Sequence, residues 1–108
     1  MCRALKVLCV AEHATALTEL KRAAVSAEWE LARGATDEAD ALAQLHEERP
    51  HVLVIFGPFD RLARSALDAS PSIRIVADRD LPGASVVVSA LGEVRAGILG
   101  RTARGPVR

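Results

Sequence analysis

Apolar and polar positions along this chain follow two periods in turn, and the switches between them mark out its elements. "ALKVLCVA", Ala4 to Ala11, is a Val- and Leu-rich run with one charged interruption, as in a strand buried on both faces. From Ala14 to about Ser26 the period changes. Leu17, Leu20, Ala24 and Val25 recur at helical spacing, with Thr18, Glu19, Lys21 and Arg22 between them. "EWELARG" supplies a shorter second strand. Thr36 or Asp37 then offers a cap for a helix whose inner face is Ala41, Leu42 and Leu45, and Pro50 follows its end. "HVLVIF", His51 to Phe56, is the clearest strand. Phe59, Leu62, Ala63, Ala66 and Leu67 form the next helical stripe, "SIRIVA" a fourth strand and "ASVVVSA" a fifth. Leu91, Val94, Ile98 and Leu99 share one face of a closing helix. The remaining "GRTARGPVR" has Gly and Pro without periodicity, so residues 1–99 are expected to form one domain and 100–108 a flexible basic tail.

Strand and helix alternate five times without a tight-hairpin signal. This predicts right-handed crossovers and a parallel five-stranded sheet with helices on both faces, an α/β doubly wound fold. Such a sheet carries its sites beyond the carboxyl ends of its strands. Those ends are Ala11 to His13, Phe56 to Asp60, Ala77 to Arg79, and Ser89 to Ala90.

Composition narrows the classes. With 108 residues, half of them apolar, the chain can bury one core and is neither disordered nor fibrous. No apolar run approaches the roughly 20 residues that span a bilayer, and the start of the chain is too soon interrupted for a signal peptide. A cytosolic, membrane-free protein is expected. Cys2 and Cys9 lie too close together to staple a fold, and Cys9 falls inside an apolar strand, so both read as reduced, inert thiols. No Cys/His spacing suits zinc. The 14 basic and 14 acidic residues balance, but after Glu93 only Arg95, Arg101, Arg104 and Arg108 are charged. Four arginines without interleaved aromatics read as a linker or solvated tail and not as a nucleic-acid surface.

At the strand ends, Glu12, His13, Gly57, Asp60 and Asp78 are the residues that a small ligand, a metal or acid–base chemistry could use. Each sits in a loop where capping or solvated polar residues are ordinary. His13 can cap the first helix, and His46 and His51 flank a helix end where the dipole favours a cation. There is no G-x-S-x-G elbow, no P-loop and no G-x-G-x-x-G turn. Trp29 reads as packing.

The stretch "EWELARGATDEADALAQLHEERPHVLVIF", with "LPGAS" ahead of the fifth strand, resembles the receiver domain of two-component response regulators, and the likeness runs from about Leu5 to Leu99. The resemblance implies a flavodoxin-like fold and a phosphorylation pocket at the strand ends. In this sequence that pocket is degenerate. The two acids expected after the first strand are Ala11 and Glu12, and the phosphoacceptor aspartate falls on Phe56. The hydroxyl of the fourth strand falls on Ala77, and the lysine of the fifth on Ser89. A phenyl ring cannot attack phosphorus, one carboxylate cannot hold Mg²⁺ tightly, and serine supplies no cation.

The sequence also departs from the family in length. Only "DRDLPGAS" separates Ala77 from Val86, where the family fits a whole helix, so the fourth helix is expected to be lost or reduced to a turn. That would uncover Ile75, Val86 and Val88, and an open apolar face invites a cover. These expectations define a non-enzymatic, atypical receiver-like regulatory module with no cofactor. It would act through an unidentified protein partner and through homodimerisation at Ile75, Val86, Val88, Val94 and Ile98. The closing helix sliding over the patch is the alternative to the dimer. The alternative functions are a small-ligand-binding flavodoxin-like domain and, after it, a small enzyme using the strand-end acids.

Overall fold

The computed structural model describes residues 5–27, 29–81 and 83–99. The five strands are β1 (Leu5–Ala11), β2 (Trp29–Leu31), β3 (Val52–Phe56), β4 (Arg74–Ala77) and β5 (Val86–Val87). They form one parallel sheet in the order β2-β1-β3-β4-β5, the flavodoxin-like order. The helices are α1 (Ala14–Ala24), α2 (Glu38–Glu48), α3 (Asp60–Ala69) and α4 (Val94–Ile98), the last entered through a 3₁₀ turn at Leu91–Glu93. Residues 1–4 and the expected tail at 100–108 lie outside the described residues.

Alternation within the strands sorts the core into two layers. Leu8, Val10, Leu53, Ile55, Ile75 and Ala77 face α2 and α3, meeting Ala41, Leu45, Leu62, Ala63 and Ala66. Val7, Cys9, Val52, Val54 and Val76 face α1 and α4, meeting Leu20, Ala24, Val94 and Ile98. A strand covered on both sides has no polar face, which is why β1 and β3 read as continuous apolar runs.

The local signals act as the residue types suggest. Asp37 caps α2, its carboxylate accepting the Asp40 N–H at 2.7 Å. α2 ends at Arg49, which takes a left-handed conformation before Pro50. Trp29 is buried and donates its indole N–H to the Ala24 carbonyl at 2.7 Å, tying the start of β2 to the end of α1. The β2–α2 loop is clamped by Gln44, whose amide accepts the Gly34 N–H at 3.0 Å and donates to the Gly34 carbonyl at 2.6 Å. That clamp holds Ala35 in a bridge with Val10 beside the end of β1.

The connection from β4 to β5 carries no helix among its described residues, so the fold has lost the element expected there. The loop itself covers the sheet. Leu81 is buried in the layer with Ile75 and Ala77, and Ala84 packs beside it. Gly83 has φ +77° and lies under Leu67 of α3, where any Cβ would collide with the leucine side chain.

On the opposite face α4 seals the sheet. Gly97 lets the helix approach so closely that a Cβ there would meet Val76 at 3.0 Å and Val88 at 3.3 Å. The expected open patch is therefore corrected. Ile75, Val88, Val94 and Ile98 are buried within one chain and Val86 is half-buried. Val87, at 53 % exposure, is what stays open on the face vacated by the helix. The fifth strand is also shorter than the apolar run suggested. Ser85 meets Ile75 with its backbone N–H, which donates to the Ile75 carbonyl at 2.8 Å, and with its hydroxyl, which accepts the Ile75 N–H at 3.3 Å, and paired residues run only from Val86 to Val87.

Candidate functional site

The ends of β1, β3 and β4 stand side by side. Ala11 pairs with Phe56, and Ile55 with Ala77. Ala11 and Ala77 are fully buried, and Phe56 is half-buried against the α1/α4 layer. The three positions at the centre of the carboxyl edge are thus filled by apolar side chains, and polar groups begin one residue later.

Gly57 follows Phe56 with φ +141°. A Cβ there would lie 2.8 Å from Glu12 Cγ and 2.8 Å from a ring carbon of Phe59. The stem of Glu12 and the Phe59 ring therefore fold over the bare Cα, and only glycine leaves that space. The Gly57 N–H donates to Asp78 Oδ1 at 3.2 Å, joining the β3 turn to the β4 turn. Asp78 also receives Arg79, Nε to Oδ1 at 3.0 Å and an Nη to Oδ2 at 3.2 Å. Both carboxylate oxygens of Asp78 are thus engaged. The hydrogen bonds from Arg79 to Asp78, and then the charges of Asp78, Glu12 and Asp60, raise the Arg79 pKa above its ordinary value.

This geometry brings Glu12, Gly57 and Asp78 together and puts Asp60 within the field of the same guanidinium. Asp60 opens α3, where a negative charge complements the helix end. His13 belongs elsewhere. It is the N-cap of α1, its Nδ1 accepting the Ala16 N–H at 3.3 Å. Ser89, at the end of β5, is tied through its backbone N–H to the Glu93 carboxylate at 2.7 Å, a bond that organises the turn into α4. Among the described residues no group of three or more His, Cys, Asp or Glu side chains is placed to hold a metal ion. Burial pushes the Cys9 thiol up to about 12, partly opposed by Lys21, so the reactive thiolate is suppressed.

Chemically, the strand ends hold three carboxylates, Glu12, Asp60 and Asp78, of which Asp78 is paired with Arg79. Two contributors were not among the candidates read from the sequence. Arg79 lies in the loop flagged as a strand end, and its signal was a lone cation directly after Asp78. Phe59 read as part of a helical stripe, and only the turn at Gly57 shows that its ring also roofs the site.

No protein-family model matches the sequence, and neither does any curated protein. Solved structures do match. The response regulator domain of Thermotoga maritima CheB superposes with a TM-score of 0.61 at 18% identity, over 69% of this chain and 60% of that one. The signal receiver domain of an HD domain-containing protein from Pseudomonas fluorescens Pf-5 gives 0.62 at 20% identity, over 74% and 70%. The non-phosphorylated receiver domain of RcsB from Escherichia coli gives 0.61 at 15% identity, over 91% and 89%. The chain therefore has the receiver-domain fold. Among the described residues no helix is long and apolar enough to cross a membrane.

Proposed function

We propose that this chain is a non-enzymatic, receiver-like regulatory module of the cytosol that works through protein contacts and is not switched by aspartyl phosphorylation. The observation that carries the proposal is Phe56. It closes β3 at the place where the resemblance puts the phosphoacceptor, and a phenyl ring offers no oxygen to phosphorus. Its surroundings agree. Ala11 and Ala77 are buried methyl groups, Ser89 is exposed and carries no charge, and both Asp78 oxygens already accept hydrogen bonds. Incubation with acetyl phosphate and Mg²⁺ followed by intact-mass spectrometry is the test. An unchanged mass is expected, and a phosphoryl adduct on any strand-end residue overturns the reading.

The protein-contact half of the proposal rests on a smaller surface than an open sheet face would give. Ile75, Val88, Val94 and Ile98 are committed to the core, so self-association falls to the β5 edge and Val87. A two-residue strand presents few backbone groups, and the dimer is accordingly weak. Sedimentation across the micromolar range should show a concentration-dependent dimer that Val87→Lys removes. A strict monomer at the highest concentration refutes homodimerisation and leaves a different protein as the partner.

A further inference from the structure

The residues discussed above lie at the carboxyl ends of the strands, whereas a cavity lies at the other end of the sheet. It occupies about 320 Å³ between the C-terminal ends of α2 and α3 and the entry to β4. Its floor is apolar, made by Leu45, Pro50 and Ile73, all buried, with Ala69 at the mouth. Its rim is polar, made by His46, Arg49 and Ser70.

The charge at the rim points to the ligand. His46 sits in the last turn of α2, where the helix end favours a cation. Arg49 lies past that turn, its backbone held at φ 49° and its N–H spent on the Leu45 carbonyl at 3.1 Å. Neither His46 nor Arg49 forms an ion pair among the described residues, although acids are near in sequence. Glu48 is instead drawn to Lys6 at 2.9 Å, and neither Glu48 nor Asp68 is part of the lining. The guanidinium is thus a cation without an ion-pair partner among the described residues, on a lining that also carries the Ser70 hydroxyl. A guanidinium fork and a hydroxyl are the groups that recognise a carboxylate, and buried Leu, Pro and Ile side chains recognise a compact apolar body.

We propose that this cavity binds a small monocarboxylate with an apolar body, the carboxylate at Arg49 and Ser70 and the body on Leu45, Pro50 and Ile73. The volume is at the lower end of ligand cavities, which sets the size at one ring or one branched chain. The site is independent of the strand-end chemistry.

Phenylacetate is the probe, with phenylacetamide as its neutral counterpart, and amide shifts of the whole chain report binding. Phenylacetate should give saturable shifts at His46, Arg49, Ser70 and Ile73. Phenylacetamide should bind at least about tenfold more weakly, because a charge-assisted hydrogen bond is lost. Arg49→Asn removes the charge with a residue that tolerates the left-handed backbone, and should weaken phenylacetate binding to the same extent. Ala69→Trp, at the exposed mouth, should block it. An unchanged far-UV circular dichroism spectrum and thermal midpoint show that both variants are folded. Equal binding of acid and amide, shifts confined to the strand ends, or no saturable shifts at all would each overturn the site.

Discussion

Replacing Gln44 with leucine tests whether one side chain holds the β2–α2 loop in register with the sheet. Gln44 is 1 % exposed and meets both backbone groups of Gly34, which is itself buried. Leucine keeps the bulk and loses both bonds. The Gly34 N–H and C=O are then left without partners in a dry place, at about 1–3 kcal/mol for each group. Leucine is easier to bury than an amide, which returns part of this, so a net loss of roughly 2–4 kcal/mol is expected. For a domain of this size that is a large share of a total of about 5–15 kcal/mol. Urea unfolding followed by Trp29 fluorescence measures it, since the buried indole becomes solvated on unfolding. With a slope of about 1.5 kcal/mol per molar urea, the midpoint should fall by roughly 1.3–2.7 M. Gln44→Glu should be worse at pH 8 than at pH 5, because a buried carboxylate facing a carbonyl is tolerated only when protonated. A Gln44→Leu variant within about 0.5 kcal/mol of the parent, at unchanged slope, would mean that water serves Gly34 and the clamp holds nothing.

Phe56→Asp should give a chain that is less stable by several kcal/mol, since the ring is half-buried against apolar neighbours, and that still gains no phosphoryl mass from acetyl phosphate. Efficient phosphorylation would show that Asp78 releases its present partners. Gly83→Ala should cost about 1–3 kcal/mol in urea unfolding, from positive φ and collision with Leu67, and Leu67→Ala in the same chain should recover part of it. The Lys6–Glu48 pair should make the chain sensitive to acid. The hydrogen bond from Lys6, and then its charge, lowers the Glu48 carboxyl below its ordinary 4.5, so the pair supports the fold above that pH and is lost as pH falls through the lowered value. The midpoint difference between the parent and Glu48→Gln should therefore shrink as pH falls through the lowered Glu48 value, and a constant difference refutes the linkage.

Most of the fold was legible because each signal has one physical meaning. β1 and β3 are covered on both sides and must be apolar throughout, Thr36 or Asp37 had to cap what followed, and "DRDLPGAS" was too short for a helix. The closing of the sheet was legible only as the alternative in which the closing helix slides over the patch, and the fits that seat it were not legible. Gly97 reads as a weak point in a helix, yet its missing side chain is what brings α4 down onto Val76 and Val88. Leu81 reads as a loop residue, yet it fills space that a helix would have covered. Both are long-range fits, and local spacing carries no trace of them. The candidate site divides likewise. Phe56, Ala11 and Ala77 were placed by strand ends alone, whereas the joining of Asp78 to Gly57 and Arg79 needed the approach of two loops distant in sequence.

The strand order also sets a schedule for synthesis on the ribosome. β1 leaves the tunnel first and lies between β2 and β3, so it can be zipped on both edges as soon as Phe56 has emerged. The N-terminal half thereby gains a three-strand nucleus with α1 and α2 before β4 exists. The late-made half has the opposite character. β5 offers two residues of pairing and α4 five of helix, and both seat by close fit onto strands already formed. Breathing of the native chain should accordingly run backwards along the gene, with amide exchange fastest at β5 and α4 and slowest in β1 and β3.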